Sequence, residues 1–298
     1  MTYSIVARDA KTGEMGVAVQ SHYFSVGSVV TWARAGVGAV ATQAMVEISY
    51  GPLGLQLMAA GKSAKAALGT LVRADSKAAT RQVAMADAKG GVAAHTGSKC
   101  IPHAGHVVGD QVSCQGNIMK NERVWKSMHG SFVKNAGMPL AERLVAALEA
   151  GEEAGGDARG KQSSAILVVS PQLSPNDWSG RLVDLRVEDH PAPVLELKRL
   201  LRYQRGYDWV SKGDELLTSE KYAEALKAYV KGLRLVPEVL ELKFWVGLSM
   251  LETKEKGRGV DMLREVFAED RNWVEITKGI IRARTMPIDR ETAKDLLG

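Results

Sequence analysis

The chain has 298 residues, of which 45% are apolar and 24% charged, and its formal net charge is +5. These proportions exclude wholesale disorder, collagen-like repetition and a fibrous chain, and the length suits two domains of ordinary size. No apolar run approaches the ~18 residues of a membrane span, and no basic stretch followed by an apolar one opens the chain, so a cytoplasmic protein without membrane contact is expected.

Residues 2–9 and 15–21 are apolar, β-prone runs separated by the turn-forming stretch Asp9-Ala10-Lys11-Thr12-Gly13, a pattern that predicts a hairpin. Residues 29–34 and 37–43 repeat the arrangement around Ala35-Gly36, as do residues 81–87 and 91–95 around Ala88-Lys89-Gly90. Between these pairs, residues 54–72 carry Ala and Leu at helical spacing, which predicts two short helices broken near Gly61-Lys62-Ser63. Gly105-His106 after Pro102 reads as a loop packing on its own domain, and Gln115-Gly116-Asn117 as a flexible turn. Helices are predicted over 121–134 and 139–153, the second opening on a proline and ending at Gly155-Gly156. Apolar strands over 163–170 and 182–187 complete the set. Hairpins alternating with helical pairs imply two sheets packed face to face with helices outside.

Composition changes near His190-Pro191-Ala192-Pro193: residues 192–298 hold 20 Lys+Arg and 18 Asp+Glu, while 22 of the 30 glycines come earlier. The expected domains are therefore 1–193 and 194–298. No long Lys/Arg block occurs in either, so nucleic acid is not an expected partner. From Trp209 the chain reads W-x3-G-x8-Y-x2-A-x3-Y-x7-P on Trp209, Gly213, Tyr222, Ala225, Tyr229 and Pro237, which resembles a tetratricopeptide repeat. A shift of 34 residues lands on Gly247, Gly259 and Leu263, a degenerate second copy with Arg271 in the place of the proline. Fewer than three full repeats are marginal alone, so this segment is expected to dock on the first domain or on a second subunit. A homo-oligomer is the expectation, with partner binding through the repeats as the alternative.

Thr2 opens the first strand, and small second residues generally permit removal of the initiator methionine. A free α-amine has a pKa of about 7.7–8.0, so a neutral fraction exists near neutral pH to take the proton of the threonine's own hydroxyl. One residue then supplies nucleophile and base, provided the strand holds it rigidly.

The opening TYSIVARDAKTGEMGVAVQSHYFSVGSVVTWARAGVGAVATQA, the later AAHTGSKCIPHAGH and QGN, and above all GGDARGKQSSAILVV resemble the domain-of-unknown-function family 1028, over Thr2 to about Pro193. That family is assigned to the N-terminal-nucleophile (Ntn) hydrolase-like proteins. The resemblance implies an α+β fold, a four-layer αββα sandwich, here followed by a small all-α helical-repeat domain. Catalysis is only inferred for the family.

The segment 155–164 packs three glycines and six polar or charged residues between a helix end and a buried strand, which places backbone and charge near a ligand. Lys161 there is expected to depress the amine's pKa by like-charge repulsion, and Arg159 to bind a substrate carboxylate; an Asp157–Arg159 ion pair holding the loop is the other reading. Gln162 and Ser163 either orient the amine or satisfy loop backbone. Ser21 and His22 end the second strand, where Ser21 is placed to hydrogen-bond the nucleophile and His22 is as much a surface residue as a site residue. Gln43 closes another strand. Asn117 offers an amide donor for an oxyanion hole or an N-cap for the helix that follows.

Cys100, His103, His106 and Cys114 form C-x2-H-x2-H-x7-C with His95 nearby, a spacing that fits no standard zinc module, and the resemblance offers no metal. The glycines around Gly36 and Gly38 lie between strands and do not open a helix, as a phosphate loop must. The expectation is a hydrolase without cofactor, acting on a small amide-type C–N bond from Thr2; the alternative is a non-catalytic ligand-binding or assembly protein.

Overall fold

The computed structural model describes residues 2–176, 179–251, 253–286 and 288–297. Met1, whose removal the sequence reading requires, lies outside the described residues. The chain divides into two compact units, 1–201 and 202–298.

In the first unit, β1 (Thr2–Arg8) pairs antiparallel with β2 (Met15–Ser21), as the hairpin pattern predicts. The predicted strand over 29–34 is shorter. Residues 27–30 form a helical turn, α1 (Gly27–Val30), before β3 (Thr31–Arg34). Tertiary contacts override the β preference of the two valines here. The Val26 N–H donates to Ser163 Oγ at 3.1 Å, and a Cβ on Gly27 would lie 2.5 Å from Ala165 Cβ, so only a glycine turn packs this close. Next come β4 (Gly38–Ala44), α2 (Tyr50–Ala59) and α3 (Ala64–Ala74). The break between the helices falls as predicted: Gly61 adopts φ +91°, and Ser63 caps α3 by accepting from the Ala66 N–H.

β5 (Arg81–Asp87) and β6 (Val92–Thr96) follow. The segment read as loop and turn is instead a further hairpin, β7 (Gly105–Gly109) and β8 (Val112–Asn117). Its glycines disguise it. Gly105 and Gly116 are register partners, and a Cβ on Gly105 would lie 2.7 Å from the Trp125 ring, so glycine here admits an aromatic side chain rather than a turn. Helices α4 (Arg123–Lys134) and α5 (Leu140–Glu153) lead to β9 (Ser163–Val169) and β10 (Arg181–Val187).

Two antiparallel sheets result: a six-stranded one in the order β10-β9-β2-β1-β8-β7 and a four-stranded one in the order β3-β4-β5-β6. Strand alternation sorts the side chains into three apolar clusters. Tyr3, Ile5, Ala18, Cys114 and Ile166 face α4 and α5, through Trp125, Met128, Leu144 and Leu148. Val6, Val17, Val19, Ala39, Ala41, Ala84 and Ala165 meet between the sheets, where small residues let the sheets approach. Val40, Val83 and Met85 face α2 and α3. The chain thus has mixed α and β structure in the first unit and helices alone in the second.

The helix α6 (Pro193–Thr218) begins within the first unit, where Val194, Leu197 and Leu201 are buried in the cluster beneath α4 and α5. The second unit continues with α7 (Tyr222–Leu235), α8 (Leu240–Met250), α9 (Lys256–Glu269), α10 (Asn272–Ala283) and α11 (Arg290–Leu297). Its helices touch at glycines: a Cβ on Gly213 would lie 2.3 Å from the Tyr229 ring, and one on Gly259 would lie 2.7 Å from the Gly247 carbonyl. Among the described residues no helix is long and apolar enough to cross a membrane.

Candidate active site

The polar residues that share the inter-sheet face with the valines and alanines gather at one end of the two sheets. Thr2 is buried at the head of β1, where it is the register partner of Asn117 on β8. Its hydroxyl donates to Ser21 Oγ, at the end of β2, at 3.0 Å. Across the inter-sheet space, Gln43 at the end of β4 donates through Nε2 to the Thr2 carbonyl at 3.1 Å.

Both amides converge on Gln82 of β5, a residue the sequence reading passed over. Gln82 Oε1 accepts from Gln43 Nε2 at 2.7 Å and from Asn117 Nδ2 at 2.9 Å, while its own Nε2 lies 2.9 Å from the Gly116 carbonyl and 3.0 Å from Thr96 Oγ1. The signal was present in the alternation Gln82-x-Ala84-x-Ala86: the two alanines face the other sheet, so the glutamine does too. Ser113, Gln115 and Ser4 extend the seam, Ser113 donating to Gln115 Oε1 at 2.8 Å and Gln115 Nε2 to Ser4 Oγ at 2.6 Å. Strands β4 and β8 both run out directly beyond this seam, into left-handed backbone at Ala44 (φ 72°) and Ile118 (φ 52°). That conformation costs a non-glycine residue about 1–2 kcal/mol, so the packing around Gln43 and Asn117 must hold it.

Asn117 is therefore a buried strand residue and not the N-cap of α4; Glu122 occupies that position. Its Nδ2 is committed to Gln82 Oε1 and approaches the Thr2 carbonyl at 3.4 Å, so in this arrangement it holds the nucleophile's strand. An oxyanion donor from the same nitrogen requires one of its two N–H groups to leave Gln82 or the Thr2 carbonyl.

The glycine-rich segment turns through positive φ at Gly155, Gly156 and Gly160. Asp157 is buried and pairs with Arg159, through Nη2 at 2.8 Å and Nε at 3.2 Å, and it also accepts from the His22 N–H at 3.1 Å. The ion pair that holds the loop is real, and it carries Arg159 Nη2 to within 3.4 Å of Ser21 Oγ. Lys161 pairs with Glu152 of α5, and Glu152 accepts from the Tyr3 hydroxyl at 3.3 Å. Lys161 thus ties the loop to the residue that follows the nucleophile. Burial, with Glu152 and Asp157 nearby, holds the Tyr3 phenol well above its ordinary pKa. His22 is exposed, its Nδ1 3.4 Å from the Lys161 carbonyl, and Gln162 accepts from the His190 N–H at 2.7 Å. Ser163 satisfies loop backbone, donating to the Tyr23 carbonyl and accepting from the Val26 N–H.

A cavity of about 130 Å³ adjoins Thr2. Gln43 and Arg159 line it together with Tyr23, Val26, Val29, Val30, Ala44 and Val46; among the described residues Lys161, Gln162 and His22 do not. The structure so brings together Thr2, Ser21, Gln43, Asn117 and Arg159 with its partner Asp157, and leaves Lys161, Gln162 and His22 around them.

The cysteines and histidines of the C-x2-H-x2-H-x7-C stretch diverge. Cys114 is buried on the helix side of the six-stranded sheet, where burial pushes its thiol well up, whereas Cys100 donates to the Arg81 carbonyl and His106 Nδ1 meets Thr96 Oγ1 at 2.8 Å. Among the described residues no three His, Cys, Asp or Glu side chains converge to hold a metal ion.

Sequence comparison with curated proteins finds no match. The crystal structure of a protein from Silicibacter pomeroyi, described under the same family as that matched below, is similar: 32% identity, a TM-score of 0.60, and coverage of 67% of this chain and 88% of that one. Residues 2–197 match the family of unknown function DUF1028, and the chain belongs to that family.

Proposed function

We propose that the chain is a cofactor-independent hydrolase of a small amide-type C–N bond, with Thr2 as nucleophile once Met1 has been removed. The observation that carries this reading is the buried Thr2 hydroxyl, oriented by Ser21 Oγ at 3.0 Å beside a cavity of ligand size. The freed α-amine takes the hydroxyl proton, Oγ1 attacks the carbonyl carbon, and the C–N bond breaks as the leaving nitrogen receives that proton. Water then cleaves the resulting ester and restores the threonine. Gln43 and Asn117 position the nucleophile by gripping its carbonyl from both sheets, and Gln82 holds the two amides together. Arg159, which lines the cavity, is the residue to meet a carboxylate on the substrate.

The three apolar clusters support reading the first unit as a four-layer αββα sandwich of the Ntn-hydrolase type. The glycine contacts at Gly213 and Gly259 support reading the second as a degenerate tetratricopeptide-like module, whose role in this proposal is assembly of a homo-oligomer. The test of the catalytic reading is mass spectrometry of the purified N-terminus, followed by incubation of processed protein with a panel of small amides. An acyl adduct on Thr2 is the expected result. Processed protein that forms no adduct and turns over no amide is a binding protein, and the reading fails.

A further inference from the structure

The side chain of Asp157 is fully enclosed, so its carboxylate must be matched by donors from the chain. Four N–H groups meet it. Oδ1 accepts from the Arg159 backbone at 2.9 Å and from Arg159 Nε at 3.2 Å, while Oδ2 accepts from Arg159 Nη2 at 2.8 Å and from the His22 backbone at 3.1 Å. Three of these donors belong to its own loop. The fourth reaches the residue directly after Ser21, and Arg159 Nη2, held on the same carboxylate, lies 3.4 Å from Ser21 Oγ. Asp157 thus grips the end of β2 twice, at the backbone and, through Arg159, at the hydroxyl that orients Thr2.

The backbone of the same residue is tied to the other side of Thr2. Asp157 forms an antiparallel bridge with Met119, flanked by the Ala158 N–H on the Ile118 carbonyl at 3.0 Å and the Lys120 N–H on the Gly156 carbonyl at 3.1 Å. Ile118 and Met119 directly follow Asn117, the last residue of β8. Because β1 lies between β2 and β8, the loop joins the two strand ends that flank Thr2. Glycine turns and backbone bonds suffice to close a loop between α5 and β9. A buried ion pair adds little stability over well-packed apolar residues; what it fixes is the position of the groups it holds.

We propose that Asp157 is a positioning residue for the nucleophile: through the His22 N–H and the Arg159 guanidinium it fixes Ser21, and Ser21 fixes the direction of the Thr2 hydroxyl. This rests on the reading of Thr2 as nucleophile and deepens it. Without the carboxylate Ser21 is free to turn away, so the share of Thr2 hydroxyl aligned for attack falls while the walls of the cavity stay as they are.

The test uses processed full-length protein and a small neutral probe, β-butyrolactone, with the hydroxylamine-labile ester on Thr2 followed by mass spectrometry. Thr2 Oγ1 bonds to the lactone carbonyl carbon, the ring C–O bond breaks, and the hydroxyl proton ends on the released oxygen, so the adduct carries the whole lactone mass. Asp157→Asn should lower the limiting acylation rate about tenfold at an unchanged half-saturating concentration, and Ser21→Ala should do the same. The double variant should lose less than about twofold beyond either one, because both substitutions break one chain of contacts. Multiplied losses, an unchanged rate in Asp157→Asn, or a loss confined to the half-saturating concentration overturns the proposal. Should Asp157→Asn not fold, Arg159→Lys decides it. That variant keeps a cation opposite Asp157 and the His22 clamp but loses the planar fork, so it should slow acylation about threefold in the native chain and not in Ser21→Ala. An unchanged rate, or an equal loss in both backgrounds, overturns the proposal. No ester on Thr2 in the processed native chain removes the hydrolase reading and this inference with it; an ester whose rate ignores Asp157 removes this inference alone.

Discussion

Asn117 in one sheet donates through Nδ2 to Gln82 Oε1 in the other, at 2.9 Å, and both side chains are buried. Gln43 shares that acceptor at 2.7 Å, so a single oxygen ties three strand ends around Thr2. Gln82→Leu should therefore cost about 1–3 kcal/mol, the penalty of leaving buried donors poorly matched. A lowered urea midpoint at constant m checks this; an unchanged midpoint would mean the seam is satisfied by water.

Thr2→Ala should fold normally and lose hydrolysis by roughly three orders of magnitude or more, because the nucleophile is gone and the scaffold is untouched. Thr2→Ser should keep part of the activity. Ser21→Ala removes only the group that orients the hydroxyl, and should lower kcat about tenfold with KM unchanged. Steady-state kinetics on a small amide separates the three, and full activity in Thr2→Ala sinks the mechanism.

Lys161 and Glu152 make opposite electrostatic demands on a terminal amine at Thr2. Removing the cation in Lys161→Met raises the amine's pKa and moves the onset of activity to higher pH, while Glu152→Gln moves it lower. Because the two charges are paired, each shift should stay under about one pH unit. A pH–kcat/KM profile reads both. Shifts in the same direction would show that the pair acts through the fold and not through charge.

Asp9 and Arg143 form a buried ion pair at 2.8 Å, with the guanidinium 3.8 Å from the centre of the Phe132 ring. Burial raises the Asp9 pKa, but the N–H groups of Thr12 and Lys11 and the Arg143 charge outweigh it and hold the carboxyl below its ordinary value. A depressed folded pKa gives stability that is complete above the unfolded value of about 3.9 and is lost as pH falls through the folded one. The stability gap between the native chain and Asp9→Asn should therefore be constant near neutrality and shrink below about pH 4. Thermal unfolding at a series of pH values measures it. Arg143→Met, which strands the carboxylate, should cost about 3–5 kcal/mol at pH 7.

The composition change near Pro193 suggests a cut that the packing disfavours. Val194, Leu197 and Leu201 lie in the first unit's core, and each fully buried aliphatic side chain is worth about 1.5–3 kcal/mol. A chain ending at Leu201 should stay folded, whereas one ending at Pro193 should have a markedly lower Tm or aggregate. Light scattering and thermal unfolding of the two compare them directly, and equal stability would show that the start of α6 contributes nothing to that core.

Much of the secondary structure was legible because it is written in local periodicity. The β1–β2 hairpin follows from alternation, and the break between α2 and α3 from Gly61 and Ser63, since capping and turn chemistry act over a few residues. The β7–β8 hairpin was not legible, because Gly105 and Gly116 are small for the sake of Trp125, which is distant in sequence. The α1 turn was missed for the same kind of reason, its geometry being dictated by Ser163 and Ala165.

The sequence by itself determined that Thr2 heads a strand, that Ser21 and Gln43 fall at strand ends, and that the segment around Asp157 and Arg159 is a charged glycine loop. Only the tertiary structure decided which of these meet. Strand pairing brings Ser21 and Asn117 to Thr2, and the approach of the sheets across their alanine faces brings in Gln43 and Gln82. Such contacts depend on register and sheet order, which are set by the packing of the whole core and leave no mark in the spacing along the chain.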